Sequence, residues 1–436
     1  MKWIVIGAGK SGIGARNLLE HHKQDVLLFD ENKSKLNFEL QSFTIDDSNH
    51  PIFSEKNLTL VISPGVSLEH PLLKRARERN HRIVSEIDLA LSYYKGHVLG
   101  VTGTNGKSTT VMMTGCLLKQ LHIDFALGGN IGIAASSLMM EAPHEYLLLE
   151  LSSYQIEASE LLKPKVAVLT GIAPDHLSRH KSLKGYVSAK WRLFDNQGPE
   201  DLAVIEECVY KQAIEEFQLP KPKAKTIVMR EKDLSSLDSF FSFRWKHDRI
   251  NAFFALQIAS FLSGKPIEHI APLLKSYKGL PFRCEVIGKI DSWSIINDSK
   301  GTNMDSTLHA LTNTSGKITL FLGGLGKGES FLDVLKYKEN IERIIAFGKS
   351  GTQIHDELSP HFPTQLFFTL KDAMKHTYEI LVKARGDILF SPACASQDEF
   401  TDFEDRGIFF TQCVHSSLKK IKGGLAYEPI LNAKTS

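Results

Sequence analysis

The sequence predicts an α/β protein built on parallel sheets. Short runs of β-branched and aliphatic residues alternate with longer amphipathic stretches along almost the whole chain, which is typical of parallel strands covered by helices. A glycine-rich loop directly follows the first strand of each of the first two predicted domains, as in nucleotide-binding domains. At 436 residues, the chain is long enough for two or three domains.

The pattern divides into three predicted domains. The first begins with a strand at Trp3–Ile6 and the second with a strand at Val98–Val101. The third follows Gly279-Leu280-Pro281, where a helical pattern gives way to alternating residues. We therefore place the domains at residues 1–94, 95–279 and 280–436.

The composition excludes several classes of function. Lys and Arg together number 52 against 50 Asp and Glu, so the chain lacks the basic excess that nucleic-acid binding needs. The five cysteines are scattered and form no CxxC pair, which argues against a disulfide framework or a zinc site. No run approaches the ~18 apolar residues of a membrane span. We expect a cytoplasmic monomer that binds neither nucleic acid nor membrane.

A loop at residues 100–108 reads Gly-Val-Thr-Gly-Thr-Asn-Gly-Lys-Ser, between a buried-type strand and a helix. Backbone N–H groups at a helix start can surround phosphate oxygens, while Lys107 neutralises the terminal phosphates and the Ser108 hydroxyl binds Mg²⁺. Val101 stands where the strict phosphate-loop pattern has glycine, so the loop is a variant. It predicts an ATP site, and the alternative is a plain glycine-rich turn.

Two further polar segments follow strands that we expect in the same sheet. Tyr146–Leu149 leads to Glu150, and Val166–Leu169 leads to Asp175 and His176. Ligands of parallel sheets gather beyond the carboxyl ends of the strands. We therefore predict that Glu150 and His176 bind metal beside the phosphate loop, the alternative being a solvated strand end and a structural histidine.

Gly7, Gly9 and Gly12 follow the first strand, and Asp30 ends the second. This spacing is that of a dinucleotide-binding turn, which alone would suggest an NAD-dependent oxidoreductase. A tight turn at a helix N-terminus binds any diphosphate, however, and Asp30 can accept from any ribose or base donor. With a phosphate loop in the next domain, a nucleotide-linked substrate is the simpler interpretation.

In the third domain, three loops of small residues directly follow strands. Each carries a cation or a hydroxyl suited to a carboxylate or a phosphate. The loops are Asp298–Asn303, Gly323–Lys327 and Ser391–Ser396. Each alone is typical of a plain turn, whereas together they would form one polar rim.

At these residues the sequence resembles the Mur ligase family over essentially its whole length. Thr102–Ser108 is similar to the family's ATP loop, and Gly129–Gly132 and Glu150–Gln155 are similar to its central-domain motifs. Asp298–Asn303 and the stretch from Ser391 to Gly407 are similar to segments of the D-glutamate-adding members. The resemblance implies an N-terminal Rossmann-like domain for a UDP-sugar, a central P-loop-type ATPase domain with a parallel sheet, and a C-terminal Rossmann-like domain that closes over the amino acid.

The implied reaction is the ATP-dependent addition of D-glutamate to UDP-N-acetylmuramoyl-L-alanine in peptidoglycan precursor synthesis. Phosphoryl transfer from ATP would convert the substrate carboxylate into an acyl phosphate, which the amine then attacks. The alternatives are a sister ligase, such as a folylpolyglutamate synthase or a meso-diaminopimelate-adding enzyme, an NAD-dependent oxidoreductase, and a binding protein switched by ATP hydrolysis.

The resemblance also implies roles for individual residues. The UDP-linked substrate would be held by Ser11, Asp30, Gly65, Asn130, Gln155 and His176. ATP would be bound by Gly103, Thr104, Asn105, Gly106, Lys107, Ser108, Thr109, Asn251, Arg283 and Asp298. D-glutamate would be bound by Thr302, Lys327, Ser396 and Phe403. Two Mg²⁺ ions would be held by Ser108, Glu150, His176 and Lys190, and the catalytic groups would be Lys107, Glu150, His176 and Lys190.

Lys190 reads as an ordinary helix residue, but it falls where the family carries a carbamoylated lysine. Carbamoylation would turn a cation into an oxygen ligand for the second Mg²⁺, which prefers oxygen. Some positions depart from the family pattern while leaving the predicted catalytic residues unchanged. They are Gly171, Ser178, Asp248 and Phe282.

Overall fold

The structure is a computed structural model. It describes residues 2–32, 42–43, 55, 57–235, 237, 246–312, 314, 316–421 and 423–427. These residues form three sheets with helices packed on them, which confirms the predicted α/β class and its three-domain architecture. Within the same ranges, no helix is both long and apolar enough to cross a bilayer.

The N-terminal sheet has the strand order β3-β2-β1-β4-β5, and all of its pairs are parallel. Its strands are β1 (Lys2–Ile6), β2 (Asp25–Phe29), β3 (Ser42–Phe43), β4 (Leu58–Ile62) and β5 (Arg82–Ser85). Its helices are α1 (Lys10–His21), α2 (Pro71–Glu78) and α3 (Glu86–Tyr93). Because the strand order reverses at β1, the crevice beyond the carboxyl ends of β1 and β4 is where a ligand is expected.

The central sheet is also parallel, with the order β11-β10-β9-β6-β8-β7. Its strands are β6 (His97–Thr102), β7 (Phe125–Gly129), β8 (Tyr146–Glu150), β9 (Pro164–Leu169), β10 (Leu202–Glu206) and β11 (Lys225–Met229). The accompanying helices are α4 (Lys107–Gln120), α5 (Ala135–Leu138), α6 (Ser153–Ala158), α7 (Leu177–His180), α8 (Leu183–Trp191), α9 (Glu207–Lys211), α10 (Glu231–Leu234), α11 (Lys246–Ser263) and α12 (Ile267–Ile270). A π-helical turn spans Gln212–Glu216, and 3₁₀ turns span Arg192–Phe194 and Ala271–Ser276.

The central strands are apolar on both faces because helices cover both. Leu99 and Val101 of β6 pack into one core layer, whereas Val98 packs into the other. Successive residues of a strand point to opposite faces, so a near-continuous apolar run supplies both layers at once. Each such side chain contributes about 1.5–3 kcal/mol when fully buried. This rigid sheet fixes the loops that follow its strands.

The C-terminal sheet has the order β16-β15-β14-β17-β13-β12-β18. Its strands are β12 (Glu285–Ile290), β13 (Trp293–Asn297), β14 (Ile318–Gly323), β15 (Ile341–Phe347), β16 (Thr364–Leu366), β17 (Asp387–Ala393) and β18 (Gly424–Ala426). Its helices are α13 (Met304–Thr312), α14 (Gly351–Leu358), α15 (Leu370–Lys375), α16 (Thr377–Lys383) and α17 (Phe403–Leu418), with a 3₁₀ turn at Leu332–Tyr337. Unlike the other two sheets it is mixed, since β12 runs antiparallel to both β13 and β18. The turn between β12 and β13 is too short for a parallel crossover, so the pair must be antiparallel.

The chain separates into two compact units. One contains Met1–Phe243 and Asp248–Tyr277, and the other contains Arg244–His247 and Lys278–Ser436. The N-terminal and central sheets thus belong to the first unit and the C-terminal sheet to the second. The boundaries at residues 94/95 and 279/280 stay predictions.

Candidate active site

The phosphate loop lies between β6 and α4, where its glycines allow a conformation that other residues rarely adopt. Gly103 and Gly106 have φ of 149° and 82°, and a Cβ at Gly106 would lie 2.4 Å from the side-chain oxygen of Asn251. The Thr170 hydroxyl lies 2.7 Å from the Asn105 carbonyl, and the Thr104 N–H donates to the Gly171 carbonyl at 2.9 Å. The loop is therefore held from β9, with the N-terminus of α4 behind it.

Lys107 places a cation over this loop. Its Nζ donates to the carbonyls of Gly103 and Thr104 at 2.9 and 2.6 Å. Phosphate oxygens are stronger acceptors for an ammonium group than these carbonyls are. The cation therefore lies against the loop, and its role toward ATP stays a prediction.

Side chains from three neighbouring strand ends meet at the start of α4. The Ser108 hydroxyl donates to Glu150 Oε2 at 2.5 Å, and Asn130 Nδ2 donates to Glu150 Oε1 at 2.8 Å. Glu150 ends β8 and is only 3% exposed, while Asn130 follows β7. Convergence at the carboxyl edge was expected for Glu150 because β8 pairs directly with β6. A hydroxyl and a carboxylate at this spacing are suitable oxygen ligands for Mg²⁺.

Lys190 is almost completely buried on α8, at 2% exposure. Its Nζ donates to the Gly103 carbonyl at 2.8 Å and to Thr102 Oγ1 at 3.2 Å, and it lies 4.8 Å from the centre of the Tyr186 ring. Burial, assisted by the charge of Lys107, lowers the pKa of Lys190 well below its usual value. The site therefore favours a neutral amine beside the phosphate loop.

His176 begins the segment that leads into α7 and has φ of 53°, a left-handed conformation that is uncommon for histidine. Its Nε2 lies 3.6 Å from Asp175 Oδ2, and its ring packs edge-on against Tyr154 at 5.2 Å between centroids. The side chain is 45% exposed. The structure thus sets His176 on the open side of the site, in contact with α6.

Two residues near this segment were not predicted from the sequence: Tyr186 contacts the phosphate loop, and His180 contacts α6. The Tyr186 hydroxyl lies 3.2 Å from the Thr104 hydroxyl. His180 Nε2 lies 2.9 Å from the Ser153 hydroxyl, and burial lowers the pKa of His180. A signal for Tyr186 was available, since it precedes Lys190 by four residues and so shares its face of the helix.

A cavity of about 570 Å³ opens at the switch point of the N-terminal sheet. Its wall includes residues that both the first and the central sheets supply. The predicted substrate residues along it are Ser11, Asp30, Gly65, Asn130 and Gln155. Among the described residues, His176 is not part of this wall. The structure thus brings five of the six predicted substrate residues to one cavity.

The glycine-rich turn at this cavity is built around its backbone. Gly7 has φ of 97°, and a Cβ on Gly12 would lie 1.7 Å from the Gly7 carbonyl oxygen. The carboxylate of Asp30 accepts from the Ala8 N–H at 2.6 Å and from the Asn32 N–H at 2.8 Å. Asp30 thus shapes the turn as well as lining the cavity.

The loops after β13, β14 and β17 come together in the second unit. Leu325 and Ala395 exchange backbone hydrogen bonds of 2.8 and 3.0 Å. Asp298 accepts from the Ser391 hydroxyl at 2.6 Å and from the Cys284 N–H at 3.2 Å, and burial raises the pKa of Asp298 to about 6. The three loops thus form the single polar rim that was predicted from their positions.

Arg406 supports this rim from α17 and was not assigned a role from the sequence. Its guanidinium donates to the Ser299 carbonyl at 2.8 Å and to the Cys394 carbonyl at 3.0 Å, so it joins two of the loops. The side chain is 1% exposed, and burial lowers the pKa of Arg406 to about 10. A buried guanidinium with carbonyl partners fixes the rim geometry.

The residues assigned to D-glutamate occupy this rim. Ser396 is 1% exposed, yet its hydroxyl has no hydrogen-bond partner among the described residues. The Phe403 ring lies 4.2 Å below Lys300 Nζ. Lys327 is exposed, and Thr302 is half-buried. A buried hydroxyl without a partner costs free energy unless a ligand supplies one.

Two of the positions that depart from the family pattern, Gly171 and Phe282, have local explanations. A Cβ at Gly171 would lie 2.8 Å from Glu206 Oε2, so the Glu206 carboxylate takes the space of a side chain there. Phe282 is buried against Gly407, where a Cβ would lie 2.4 Å from its ring. Burial raises the pKa of Asp248 to about 7. The side chain of Ser178 lies outside the described part of the structure.

A glycine-rich loop with a lysine over it, beside a cavity at the switch point of a parallel sheet, is the arrangement expected of an ATP-dependent ligase, and the comparisons with known proteins show such a family. The chain belongs to the Mur ligase family, and the Mur ligase middle domain matches residues 101–266. Its curated relatives include the UDP-N-acetylmuramoylalanine–D-glutamate ligases of Aquifex aeolicus and of Lactococcus lactis subsp. cremoris. Both are 31% identical to this chain and cover 95% of it, with 98% and 97% of their own lengths matched.

Solved structures share the fold at lower identity. The UDP-N-acetylmuramate-alanine ligase MurC of Thermotoga maritima aligns with a TM-score of 0.58 at 18% identity, covering 96% of this chain and 100% of its own. The MurF ligase of Thermotoga maritima, solved in complex with ADP, aligns with a TM-score of 0.57 at 16% identity, covering 96% of this chain and 95% of its own. At these identities, the likeness concerns the fold alone.

Proposed function

We propose that this chain is an ATP-dependent ligase that adds D-glutamate to UDP-N-acetylmuramoyl-L-alanine. One observation carries the proposal: Asn130 belongs to both halves of the site. It donates to Glu150, which accepts from Ser108 at the phosphate loop, and it also lines the cavity of the first domain. An acid group held in that cavity would thus lie near the terminal phosphate of a nucleotide on the loop.

The phosphate loop would bind ATP through the N-terminus of α4 and the Lys107 amine. Phosphoryl transfer needs mainly positioning and neutralisation of charge, and these are what the loop supplies. The bond from the γ-phosphorus to the β,γ-bridging oxygen breaks, a carboxylate oxygen bonds to that phosphorus, and ADP leaves. The D-glutamate amine then displaces phosphate and loses a proton, so that an amide, ADP and phosphate result.

Magnesium would neutralise the phosphate charge during this transfer. In the described ranges, no three His, Cys, Asp or Glu side chains are grouped to hold a metal. The residues nevertheless fit Mg²⁺, because Ser108 and Glu150 present two oxygens to one point and ATP would provide more. We assign a first ion to Ser108 and Glu150, and a second to Glu150, His176 and carbamoylated Lys190.

Carbamoylation of Lys190 is supported by the burial of its amine. A neutral amine attacks the carbon of CO₂, a C–N bond forms, and the nitrogen releases a proton to water. The environment of Lys190 lowers the pKa of this amine and thus favours the reactive form. The product would be an anion that offers oxygen ligands beside Gly103.

The cavity of the first domain would hold the UDP-linked substrate. Its volume of about 570 Å³ lies within the roughly 300–1,000 Å³ that is common for ligand sites. Helix α1 begins at Lys10, and its N-cap residue Gly9 makes no side-chain cap, so the first N–H groups of the helix would be available to a diphosphate. Ser11, Asp30, Gly65, Asn130 and Gln155 would make the remaining contacts.

The rim of the second unit would hold D-glutamate. A dicarboxylate supplies an acceptor for the Ser396 hydroxyl and counter-charges for Lys327. Thr302 and Phe403 would complete the contacts. We further propose a monomer that works in the cytoplasm, and the scattered cysteines, which form no CxxC pair in the sequence, support that compartment.

Phosphate release with each substrate omitted in turn tests the proposal. We expect phosphate release, together with an amide product, only when ATP, Mg²⁺, UDP-N-acetylmuramoyl-L-alanine and D-glutamate are all present, because the amine displaces the phosphate from the acyl phosphate. Lys107→Ala should abolish release, and near-normal release by this variant would exclude the assigned ATP site. A preference for an L-amino acid or a diamino acid would instead identify a sister ligase.

A further inference from the structure

Helix α3 lies between the N-terminal and central sheets and belongs to the core of each. Leu89 packs into the N-terminal core with α1, whereas Ile87 and Ala90 pack into the central core. The same helix carries two buried carboxylates, Glu86 at 1% and Asp88 at 6% exposure. Buried carboxylates are costly unless hydrogen bonds compensate them, so their partners indicate what they stabilise.

Asp88 holds the segment that follows α6. Its Oδ2 accepts from the Glu160 N–H at 2.9 Å, and its Oδ1 accepts from the Leu161 N–H at 3.1 Å and from the Ser159 hydroxyl. These donors lie just beyond the C-terminal end of α6, which carries Gln155. Asp88 thus anchors the helix that brings Gln155 to the substrate cavity.

Glu86 holds the start of α5 in a similar way. Its Oε1 accepts from the N–H of Ser136 at 2.7 Å and from the hydroxyl of Ser136 at 2.6 Å. Its Oε2 has no hydrogen-bond partner among the described residues, and burial raises the pKa of Glu86. Helix α5 directly follows the loop that carries Asn130. Glu86 thus anchors the other central-domain segment that lines the cavity.

The packing of α1 makes the position of α5 consequential. A Cβ at Gly14 of α1 would lie 2.5 Å from the Ser137 hydroxyl and 2.8 Å from the Ser136 hydroxyl. Helix α1, which follows the glycine-rich turn, therefore packs directly against α5, and the two helices come closest at Gly14. A shift of α5 would change the distance from this turn to Asn130.

We propose that Glu86 and Asp88 are positioning residues for the ligase reaction, which together set the width of the cavity that receives the nucleotide-linked substrate. We call this pair the α3 clamp. The inference rests on the proposed function, because it assigns the UDP-linked substrate to that cavity. The clamp touches neither substrate nor ATP and acts through Asn130 and Gln155.

The two carboxylates should respond differently to amide substitution. In Asp88→Asn, an NH₂ group replaces an oxygen that accepts from a backbone N–H, so two donors face each other. In Glu86→Gln, the side-chain carbonyl keeps both bonds to Ser136, and the NH₂ group takes the place of the oxygen without a partner. Ser92→Ala is the matched control, because the Ser92 hydroxyl donates to the Leu89 carbonyl of α3 itself and, among the described residues, to no other group.

The test measures the full chain in three ways. Phosphate release gives kcat and the KM values for ATP and for UDP-N-acetylmuramoyl-L-alanine, calorimetry gives the Kd of that substrate without turnover, and thermal melting reports the fold. For Asp88→Asn, we expect KM and Kd for the UDP-linked substrate to rise about tenfold, which corresponds to about 1.4 kcal/mol. The KM for ATP should stay within about twofold, as should every constant of the control Ser92→Ala. Glu86→Ala removes both bonds to Ser136 and should raise the KM and Kd for the UDP-linked substrate as Asp88→Asn does, whereas the conservative Glu86→Gln should restore them; unchanged values in Glu86→Ala would overturn the role of Glu86.

A merely structural role predicts a different result. A lower melting temperature of Asp88→Asn with unchanged KM and Kd would overturn the proposal, as would equal losses in both amide variants. If Asp88→Asn does not fold, Ser159→Ala takes its place, because it removes one donor to Asp88 and keeps both backbone hydrogen bonds. This variant should still raise the KM for the UDP-linked substrate, and an unchanged KM overturns the proposal. Failure of the wild type to bind the UDP-linked substrate would refute the proposed function instead.

Discussion

Replacing Lys190 by methionine should separate stability from activity. Lys190→Met keeps the length and the apolar stem of the side chain and removes the amine that contacts Gly103 and Thr102. The proposed reaction needs that amine as a carbamate. The fold does not need it, because it is an ionisable group enclosed on all sides.

The magnitude follows from two opposing terms. The variant loses two hydrogen bonds, worth about 1 kcal/mol each. It also escapes the cost of keeping Lys190 as a neutral amine, because burial lowers the pKa of this group well below its usual value. We therefore expect Lys190→Met to be at least as stable as the wild type at pH 7.5 in CO₂-free buffer, whereas a loss of about 2 kcal/mol would mean that only the two hydrogen bonds count.

The pH dependence of this difference has a definite sign. Between the lowered pKa of Lys190 in the folded chain and 10.5, the unfolded chain holds a proton that the folded chain lacks. Wild-type stability thus rises with pH across this window because of Lys190, whereas the variant lacks that contribution. The advantage of methionine should shrink as pH approaches 10.5.

Urea unfolding at several pH values and phosphate release at saturating substrates measure the two effects. Loss of one electrostatic group in a phosphoryl-transfer site typically lowers kcat by about 10²–10³-fold, and we expect at least that. Wild-type activity should increase with added bicarbonate. A variant that retains most of its activity, or that is strongly destabilised at pH 7.5, would refute the reasoning.

Three further substitutions test other parts of the structure. Ser396→Ala removes a buried hydroxyl without a described partner, so the melting temperature should not fall while the KM for D-glutamate rises about tenfold, a loss of about 1.4 kcal/mol; unchanged KM would exclude the contact. The folded chain binds a proton at Asp298 more readily than the unfolded chain does, so the free energy of unfolding of the wild type should fall by up to about 3 kcal/mol as pH rises from 3.8 to about 6. Urea unfolding of Asp298→Asn should lack this fall. Identical pH profiles of the two proteins would contradict the burial argument. Gly12→Ala places a methyl group against the Gly7 carbonyl and should abolish measurable binding of UDP in calorimetry, whereas Gly9→Ala, with open space around it, should keep the turn.

The fold and much of the site could be predicted from sequence because their signals are local. Apolar runs in the sequence predict buried strands. Because the strands are parallel, Glu150 and Ser108 can be placed at the same edge of the sheet before any side-chain position is known. The glycines of the two turns are similarly local, since positive φ and close backbone approach restrict the residue type.

What could not be predicted depends on distant packing. Lys190 reads as an ordinary helix residue because its burial comes from β6 and from the phosphate loop, far away in the chain. Arg406 lies within a recognised segment, but its role in joining two loops appears only when the sheet is assembled. The antiparallel β12 and β18 pair across a long sequence separation, which no local pattern reports.

The sharing of α3 between two cores bears on how the first unit comes apart. In a fragment that ends at the predicted boundary of residue 94, Ile87 and Ala90 would lose the apolar side chains that surround them. The core of the central sheet would in turn lose these two residues. Neither half would be self-sufficient, so heat or denaturant should melt both sheets in one cooperative transition. Attempts to express residues 1–94 alone should yield an aggregating polypeptide, whereas the unit that ends near Tyr277 should survive limited proteolysis intact.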